Sequence, residues 1–303
     1  MKIVLTGSVS NVGRPLTQAL VANGHSVTVI SSKPERKDDI ERLGAGTAIG
    51  SMFDADFLSS TFKGADVVYL METLDAAGDF FDKDVDFIGS ISRIGTNYKN
   101  AVLEAGVKKV VHLSSVGAHM KEGNGILKFH YNVESILSQL PANIHIKFIR
   151  PVAFFSNLYA FIQSIKTTGK IVSNYGGDIK EPWVSPFDIA SVIAGEMDKP
   201  FEGRTVRYVA SQEVSPNEIA KALGRAIGKP DLKWEVISDE QLLTNWHKIG
   251  FNPQIAQGFV EMQAAQGNRS LYEDYYKKQN TPKLGSVKLD DFAKQFAEAY
   301  NAG

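Results

Sequence analysis

The sequence contains no cysteine. That absence excludes disulfides, thiolate nucleophiles and Cys-ligated metals, and it fits a reducing, cytoplasmic setting. Long apolar runs are missing too: no stretch approaches the roughly 18 consecutive apolar residues of a membrane span, and the opening MKIVLTG is too short for the apolar core of a signal peptide. No membrane partner is expected. Charge of one sign is nowhere concentrated, since 33 Lys plus Arg face 34 Asp plus Glu for a net of −1. Nucleic acid therefore gains no electrostatic support as a partner. The six histidines are scattered without ligand spacing, so no metal site is expected. Internal repeats, low-complexity tracts and linker-like Pro/Gly/Ser runs are also lacking.

What is present reads as an ordinary globular chain, with 43% hydrophobic and 22% charged residues. Its 303 residues allow one large α/β domain and a smaller lobe. Short Val/Ile-rich runs alternate with helical periodicity: strands at Lys2 to Thr6, Ser26 to Ile30, Thr47 to Ile49, Asp66 to Met71, Lys109 to Leu113 and Ile144 to Ile149. Helices are expected around Val12 to Leu20, Asp56 to Phe62, Ile94 to Ala105 and Lys128 to Leu140. Such buried strands separated by helices predict an α/β fold with a doubly wound parallel sheet over residues 1–152. Residues 153–303 form a smaller, mainly helical C-terminal lobe, with about 186–210 returning to the first domain. Within it, Phe154 to Ile165 reads as helix and Thr168 to Asp178 as a turn region.

Leu5 to Leu16 reads LTGSVSNVGRPL. It joins the first strand to the first helix, where open parallel sheets bind ligands. Gly7 can make the tight turn and Gly13 the close helix approach, while the helix N-terminus offers N–H groups to a pyrophosphate. Ser10 stands where a middle glycine is expected, and its hydroxyl is a donor for a phosphate oxygen. Thr6, Gly7, Ser10, Asn11, Val12 and Gly13 are thus cofactor candidates. At the end of the second strand an acidic residue would select NAD; here Ser31, Ser32 and Lys33 stand, then Arg36. Hydroxyls and cations suit a 2′-phosphate, so NADP(H) is the expected cofactor.

Several segments together resemble the NmrA-like group of atypical short-chain dehydrogenase/reductases: TGSVSNVGRPL, GSMFDADFL, NAVLEAGVKKVVHLSSVGA, HYNVESIL, IRPVAFFSNL, PWVSPFDIA and KLDDFAKQFAEAY. The resemblance spans essentially the whole chain. It implies an NADP(H)-binding Rossmann domain with a small lobe closing over the nicotinamide, in a group that holds quinone and dye reductases as well as dinucleotide-binding regulators. Related reductases carry Tyr-x-x-x-Lys, and anchoring on Glu134 puts Ile126 at the tyrosine and His130 at the lysine. The proton donor is absent. By the same resemblance His130 is the candidate catalytic and cofactor-orienting residue; Tyr131, its neighbour in the chain, is the alternative acid and points about 100° away on the helix. Ser51 replaces the usual Asp after Gly50, and Ser114 and Ser115 are cleft residues. Met71, Glu72, Thr73 and Pro151, at strand ends, complete the candidate set.

Without the tyrosine, alcohol–ketone interconversion loses its acid. Hydride addition to a quinone or dye gives a delocalised anion that water can protonate. The expected substrate is therefore a small planar or conjugated acceptor, with Phe129, Tyr131, Phe154, Phe155, Tyr159, Phe161 and Trp183 as candidate lining or core. The alternative is a non-catalytic NADP(H)-sensing regulatory protein. The sequence leaves a homodimer open.

Overall fold

The computed structural model describes residues 1–302. Strand and helix alternate through β1 (Lys2–Leu5), α1 (Gly13–Ala22), β2 (Ser26–Ser31), α2 (Lys37–Glu41), β3 (Gly46–Ile49), α3 (Ala55–Phe62), β4 (Val67–Leu70), α4 (Phe87–Ala105), β5 (Lys109–Leu113), α5 (Lys128–Leu137) and β6 (His145–Pro151). The second half adds β7 (Ala153–Phe154), α6 (Ile162–Thr168), β8 (Lys170–Ser173), β9 (Glu181–Val184), α7 (Pro186–Met197), β10 (Arg204–Val209), β11 (Gln212–Val214), α8 (Pro216–Ala226), β12 (Lys233–Val236), α9 (Asp239–Lys248), α10 (Pro253–Gly267) and α11 (Leu289–Ala302).

Seven parallel strands form the main sheet in the order β10-β6-β5-β4-β1-β2-β3. This is a doubly wound, Rossmann-like sheet whose strand order reverses beside β1. Because side chains alternate along a strand, Ile3 and Leu5 enter one core while Val4 enters the other. Val67 and Tyr69 likewise oppose Val68 and Leu70. Leu16 and Leu20 of α1 and Ile189 and Ile193 of α7 cover the first face. Leu58 of α3, Ile91 and Tyr98 of α4 and Val133 of α5 cover the second. Both faces are dry, which is why these strands read as continuous apolar runs.

Helix α7 packs on α1, and β10 pairs with β6 from Arg204↔Ile146 to Val209↔Pro151. The lobe has its own aromatic core, in which Phe155 stacks on Trp183 and Phe292. Its secondary structure differs from expectation in several places. Residues Phe155–Phe161 form a 3-10 helix before α6, and the expected turn region contains β8, which pairs with β12. A three-stranded sheet β11-β9-β7 was not legible either. These strands are two to four residues long, too short to establish a period. Helix α4 begins at Phe87, not Ile94, because Asp86 caps it by accepting from the Gly89 N–H at 3.0 Å. Helix α5 ends at Leu137, three residues before the expected end.

Candidate cofactor cleft and active site

The loop after β1 is built on two positive-φ residues, Gly7 at 86° and Ser8 at 57°. A Cβ at Gly7 would stand 2.0 Å from Met71 Sδ, and one at Gly13 would stand 2.1 Å from the Ser8 carbonyl oxygen. At Gly13 a side chain would have to displace the loop backbone, and at Gly7 it would displace the Met71 side chain and strain a positive-φ position. The Ser10 hydroxyl accepts from the Gly13 N–H at 3.2 Å, while the Ser10 carbonyl accepts from Arg14 N–H at 3.0 Å. The serine thus fastens the turn onto the first turn of α1 and keeps its own hydroxyl hydrogen to donate. No protein acceptor takes the N–H groups of Asn11 and Val12 among the described residues, so they remain for an anion.

Beside this loop lies a cleft of about 410 Å³. Gly7, Ser10, Ser31, Ser32, Lys33, Ser51 and Thr73 all line it, as does Arg36. Their roles differ. Ser31 is buried; its hydroxyl accepts from Ser8 Oγ at 3.1 Å and from Lys33 N–H at 3.2 Å, so it ties the first loop to the end of β2. Ser32 and Lys33 are exposed at the rim. Arg14, Arg36 and Arg42 all converge on the single carboxylate of Asp39, and Arg36 also lines the cleft. Ser51 accepts from Phe53 N–H at 3.1 Å, and Thr73 accepts from Ala76 N–H at 3.3 Å. Met52, Phe53 and Asp75 line the same cleft and were not expected; they sit in short turns past the strand ends, with no motif to mark them.

Other candidates lie behind the cleft. Thr6 is buried, its Oγ1 accepting from Met71 N–H at 2.9 Å, a lock between β1 and β4. Glu72, a cofactor candidate at the end of β4, turns its carboxylate inward to His112 Nε2 at 3.0 Å, with both side chains fully buried. An unpaired carboxylate in that layer would be costly, and the histidine on β5 supplies its partner. Ser114 donates to Glu134 Oε1 at 2.5 Å, and Glu134 takes a two-pronged bond from Arg150, at 2.9 Å from Nε and 2.6 Å from Nη2. Arg150 extends to Asp274 at 3.3 Å, which also accepts from Tyr208 at 2.7 Å. This network, which spans α5, β6, β10 and the segment before α11, joins the lobe to the sheet. Its sequence separations, 124 residues between Arg150 and Asp274, hide it from local pattern.

His130 is buried on α5 with its ring 4.0 Å from that of Phe129. Burial, and then the positive character of His112 and Arg150, push its pKa well below the ordinary histidine value. It is a neutral imidazole at physiological pH, and its Nδ1 has no hydrogen-bond partner. Tyr131, half-buried next to it, lines none of the described clefts. Ile126, at the position expected for a tyrosine, is 1% exposed and lies 3.0 Å from where a Cβ on Gly258 of α10 would stand. Of the aromatic candidates, Phe129, Phe155 and Trp183 are core residues and line no open cleft, whereas Phe154, Tyr159 and Phe161 are half-buried. Tyr159 faces a second groove of about 420 Å³ with Asn11 and Arg14. Ser115 is half-buried and Pro151 buried at the ends of β5 and β6. Among the described residues no helix is long and apolar enough to cross a membrane, and no cluster has the makings of a metal site.

A parallel sheet with a glycine loop at its switch point, cations past β2 and a lobe over the strand ends defines a dinucleotide-type α/β protein. The NmrA-like family pattern matches residues 1–294, and the chain belongs to that family. Among solved structures it is similar to an NADPH-dependent quinone oxidoreductase from Escherichia coli complexed with NADPH, at 17% identity and a TM-score of 0.78 over 97% of this chain and 99% of that one. It is also similar to a Citrobacter triphenylmethane reductase complexed with NADP(H), at 18% identity and a TM-score of 0.72 over 98% and 100%. A Staphylococcus aureus nucleoside-diphosphate-sugar epimerase gives 19% and 0.74 over 97% and 100%. At such identities the likeness is one of fold. No curated protein matches the chain.

Proposed function

We propose that the protein is an NADPH-dependent reductase that passes hydride to quinones or similar conjugated acceptors. The observation that carries this reading is Ile126: where related reductases present a tyrosine acid, an aliphatic side chain is sealed against α10. Chemistry that needs an acid at that position is disfavoured, and acceptors whose reduced anion is delocalised are favoured. The residues present fit the cofactor. Gly7 and Gly13 leave the loop free of side-chain bulk, Asn11 and Val12 offer N–H groups for pyrophosphate, and Lys33, Ser32 and Arg36 suit a 2′-phosphate. Two of the similar structures carry NADPH or NADP(H), which supports the same choice.

When bound, the reduced nicotinamide supplies a hydride. The chain's share is orientation and exclusion of water. His130, held neutral, has an unpartnered ring nitrogen with which to orient the carboxamide or ribose without adding charge. Ser114 is kept rigid by Glu134 and Arg150 at the end of β5. The expected setting is the cytoplasm, in keeping with a cysteine-free chain. The test follows NADPH absorbance with a panel of quinones, conjugated dyes and simple ketones; consumption with the first two and not the third is expected, and ketone reduction at a comparable rate refutes the reading.

A second reading, a non-catalytic NADP(H)-responsive regulator, draws on one feature. Phe81 and Ile249 are 51% and 60% exposed, and Phe81 stacks on Phe251 at 4.9 Å, an apolar surface of the kind that partners cover. Tight NADPH binding with no turnover across the whole panel would favour it.

A further inference from the structure

The groove of about 420 Å³ beside Tyr159 adjoins the cofactor cleft but is built differently. The two share only Val9, Ser10 and Arg36. From there the groove runs between α1, the first turn of α7 and two pieces of the lobe, the Phe155–Phe161 helix and α11. Among the described residues, two arginines line it and no Asp or Glu does. Such a lining is complementary to a negative charge.

Arg14 and Arg36 both reach the same oxygen of Asp39, at 3.7 and 3.4 Å, which sets their guanidinium groups side by side. Arg42 takes the other oxygen. Contacts that long are weak beside the roughly 2.7–2.9 Å of a charge-assisted hydrogen bond. Arg14 makes no side-chain hydrogen bond among the described residues, so its planar fork is open to an acceptor. Gln18, one turn further along the same face of α1, adds an amide, and Ser156 and Gln295 add donors from the lobe. Asp188, next in sequence to the groove residue Phe187, turns its carboxylate inward, where it accepts from Ser211, Ser286 and the Val287 N–H.

The rest of the wall is apolar. Phe187, in the first turn of α7, is 53% exposed. Tyr159 and Phe292 lie with ring centroids 5.3 Å apart, and both line the groove. Planar cations beside aromatic faces suit a planar ring that carries an anionic group, and the volume is that of a small-molecule site.

We infer that this groove binds a small aromatic anion, an aryl sulfonate or carboxylate, with its charged end on Arg14 and Arg36 and its ring against Phe187 and Tyr159. Because Arg36 also lines the cofactor cleft, the same anion competes with the 2′-phosphate of NADPH for that arginine. The competition rests on the NADP(H) reading above; the site does not. Occupancy of the groove thus lowers affinity for NADPH and leaves that for NADH, which has no 2′-phosphate, unchanged.

The probe is 2-naphthalenesulfonate, with the uncharged naphthalene-2-sulfonamide as control, each titrated calorimetrically into the full chain at low ionic strength. One site is expected for the sulfonate, with the sulfonamide bound about tenfold more weakly. Arg14→Gln should weaken the sulfonate about fivefold and the sulfonamide little. Phe187→Ser should weaken both about threefold to tenfold. Neither residue lines the cofactor cleft, so NADPH affinity without the probe should match wild type in both variants. With the sulfonate saturating, wild-type affinity for NADPH should fall about twofold to fivefold and that for NADH should hold. No sulfonate binding up to millimolar concentration, equal binding of sulfonate and sulfonamide, or binding that neither substitution weakens overturns the site. Binding that responds to both substitutions but leaves NADPH affinity unchanged overturns the competition. Equal affinities for NADPH and NADH without the probe overturn the NADP(H) reading instead, and the sulfonate titrations still decide the site.

Discussion

Around the Gly7 loop the polar groups are exposed, cationic and set by backbone geometry; beyond β5 and β6 they are buried, paired and set by side chains. Lys33, Ser32 and Arg36 stand at an open rim. Glu134, Arg150 and Glu181 are each less than one-tenth exposed. The difference suits the two tasks. A nucleotide arrives with its own charges and needs donors in fixed directions, which a strand, a turn and a helix N-terminus provide with few side chains. An apolar acceptor needs water kept out, which requires a lobe joined firmly to the sheet.

If that contrast holds, damage on the buried side should show in stability and damage on the open side in binding. The largest effect is expected from Arg150→Met, which leaves Glu134 buried with no counter-charge and Asp274 short of a partner. Urea unfolding should show a loss of about 3–5 kcal/mol, against less than about 0.5 kcal/mol for Arg36→Ala at the rim. Equal losses would erase the contrast.

On the open side, Gly13→Val should drive a side chain into the Ser8 carbonyl and reduce NADPH affinity more than any rim substitution. Full NADPH affinity in that variant, measured by calorimetry, would put the nucleotide elsewhere. Lys33→Asp should act more selectively, weakening NADPH by about 10- to 100-fold, the worth of roughly one charged hydrogen bond, while NADH changes little. Equal affinities of the unmodified protein for NADPH and NADH would refute the 2′-phosphate assignment.

Buried titratable groups give a smaller, directional effect. The pKa of His130 is lowered in the folded state, so unfolded chains bind the extra proton first. Its share of stability is present above the ordinary histidine value of about 6.5 and is lost as pH falls below it. Glu181, buried at the start of β9, runs the other way. Its pKa is raised to about 8, so its share is present below the ordinary carboxyl value and lost as pH rises towards 8. Thermal unfolding of His130→Gln should flatten the acid side of the pH profile, and that of Glu181→Gln the alkaline side. The smallest change is expected from Ser10→Gly, which removes one bond to the Gly13 N–H and should leave NADPH affinity within a few-fold.

The same contrast explains what could be read from the chain alone. Gly7, Gly13 and the Ser32-Lys33 pair lie within strand, turn and helix signals only a few residues apart, and the cleft brings Gly7, Ser32 and Lys33 together. The central strands β1, β4, β5 and β6 were legible because both their faces are buried. The inward pairing of the Glu72 side chain was not legible because its partner, His112, is 40 residues away. Glu181 and Asp274 were missed for a similar reason: neither belongs to a local motif, and only the packing of α10 and the Ser270–Tyr272 turn against the sheet gives them their surroundings. The short strands β7, β8, β9, β11 and β12 carry too few residues to show alternation, and so only the helices of the lobe were legible.

Direct hydride transfer to a conjugated acceptor, without a tyrosine acid at residue 126, is the proposal on which the rest depends. It is tested most directly with NADPH carrying deuterium at the transferred position, mixed with the protein and either a naphthoquinone or a simple cyclic ketone. The claim predicts slower turnover of the quinone with the deuterated cofactor, deuterium in the reduced product wherever it does not exchange with water, and no measurable ketone reduction. Ketone reduction at a rate comparable with the quinone, or quinone-dependent NADPH oxidation with no isotope effect even in single-turnover mixing, would contradict it.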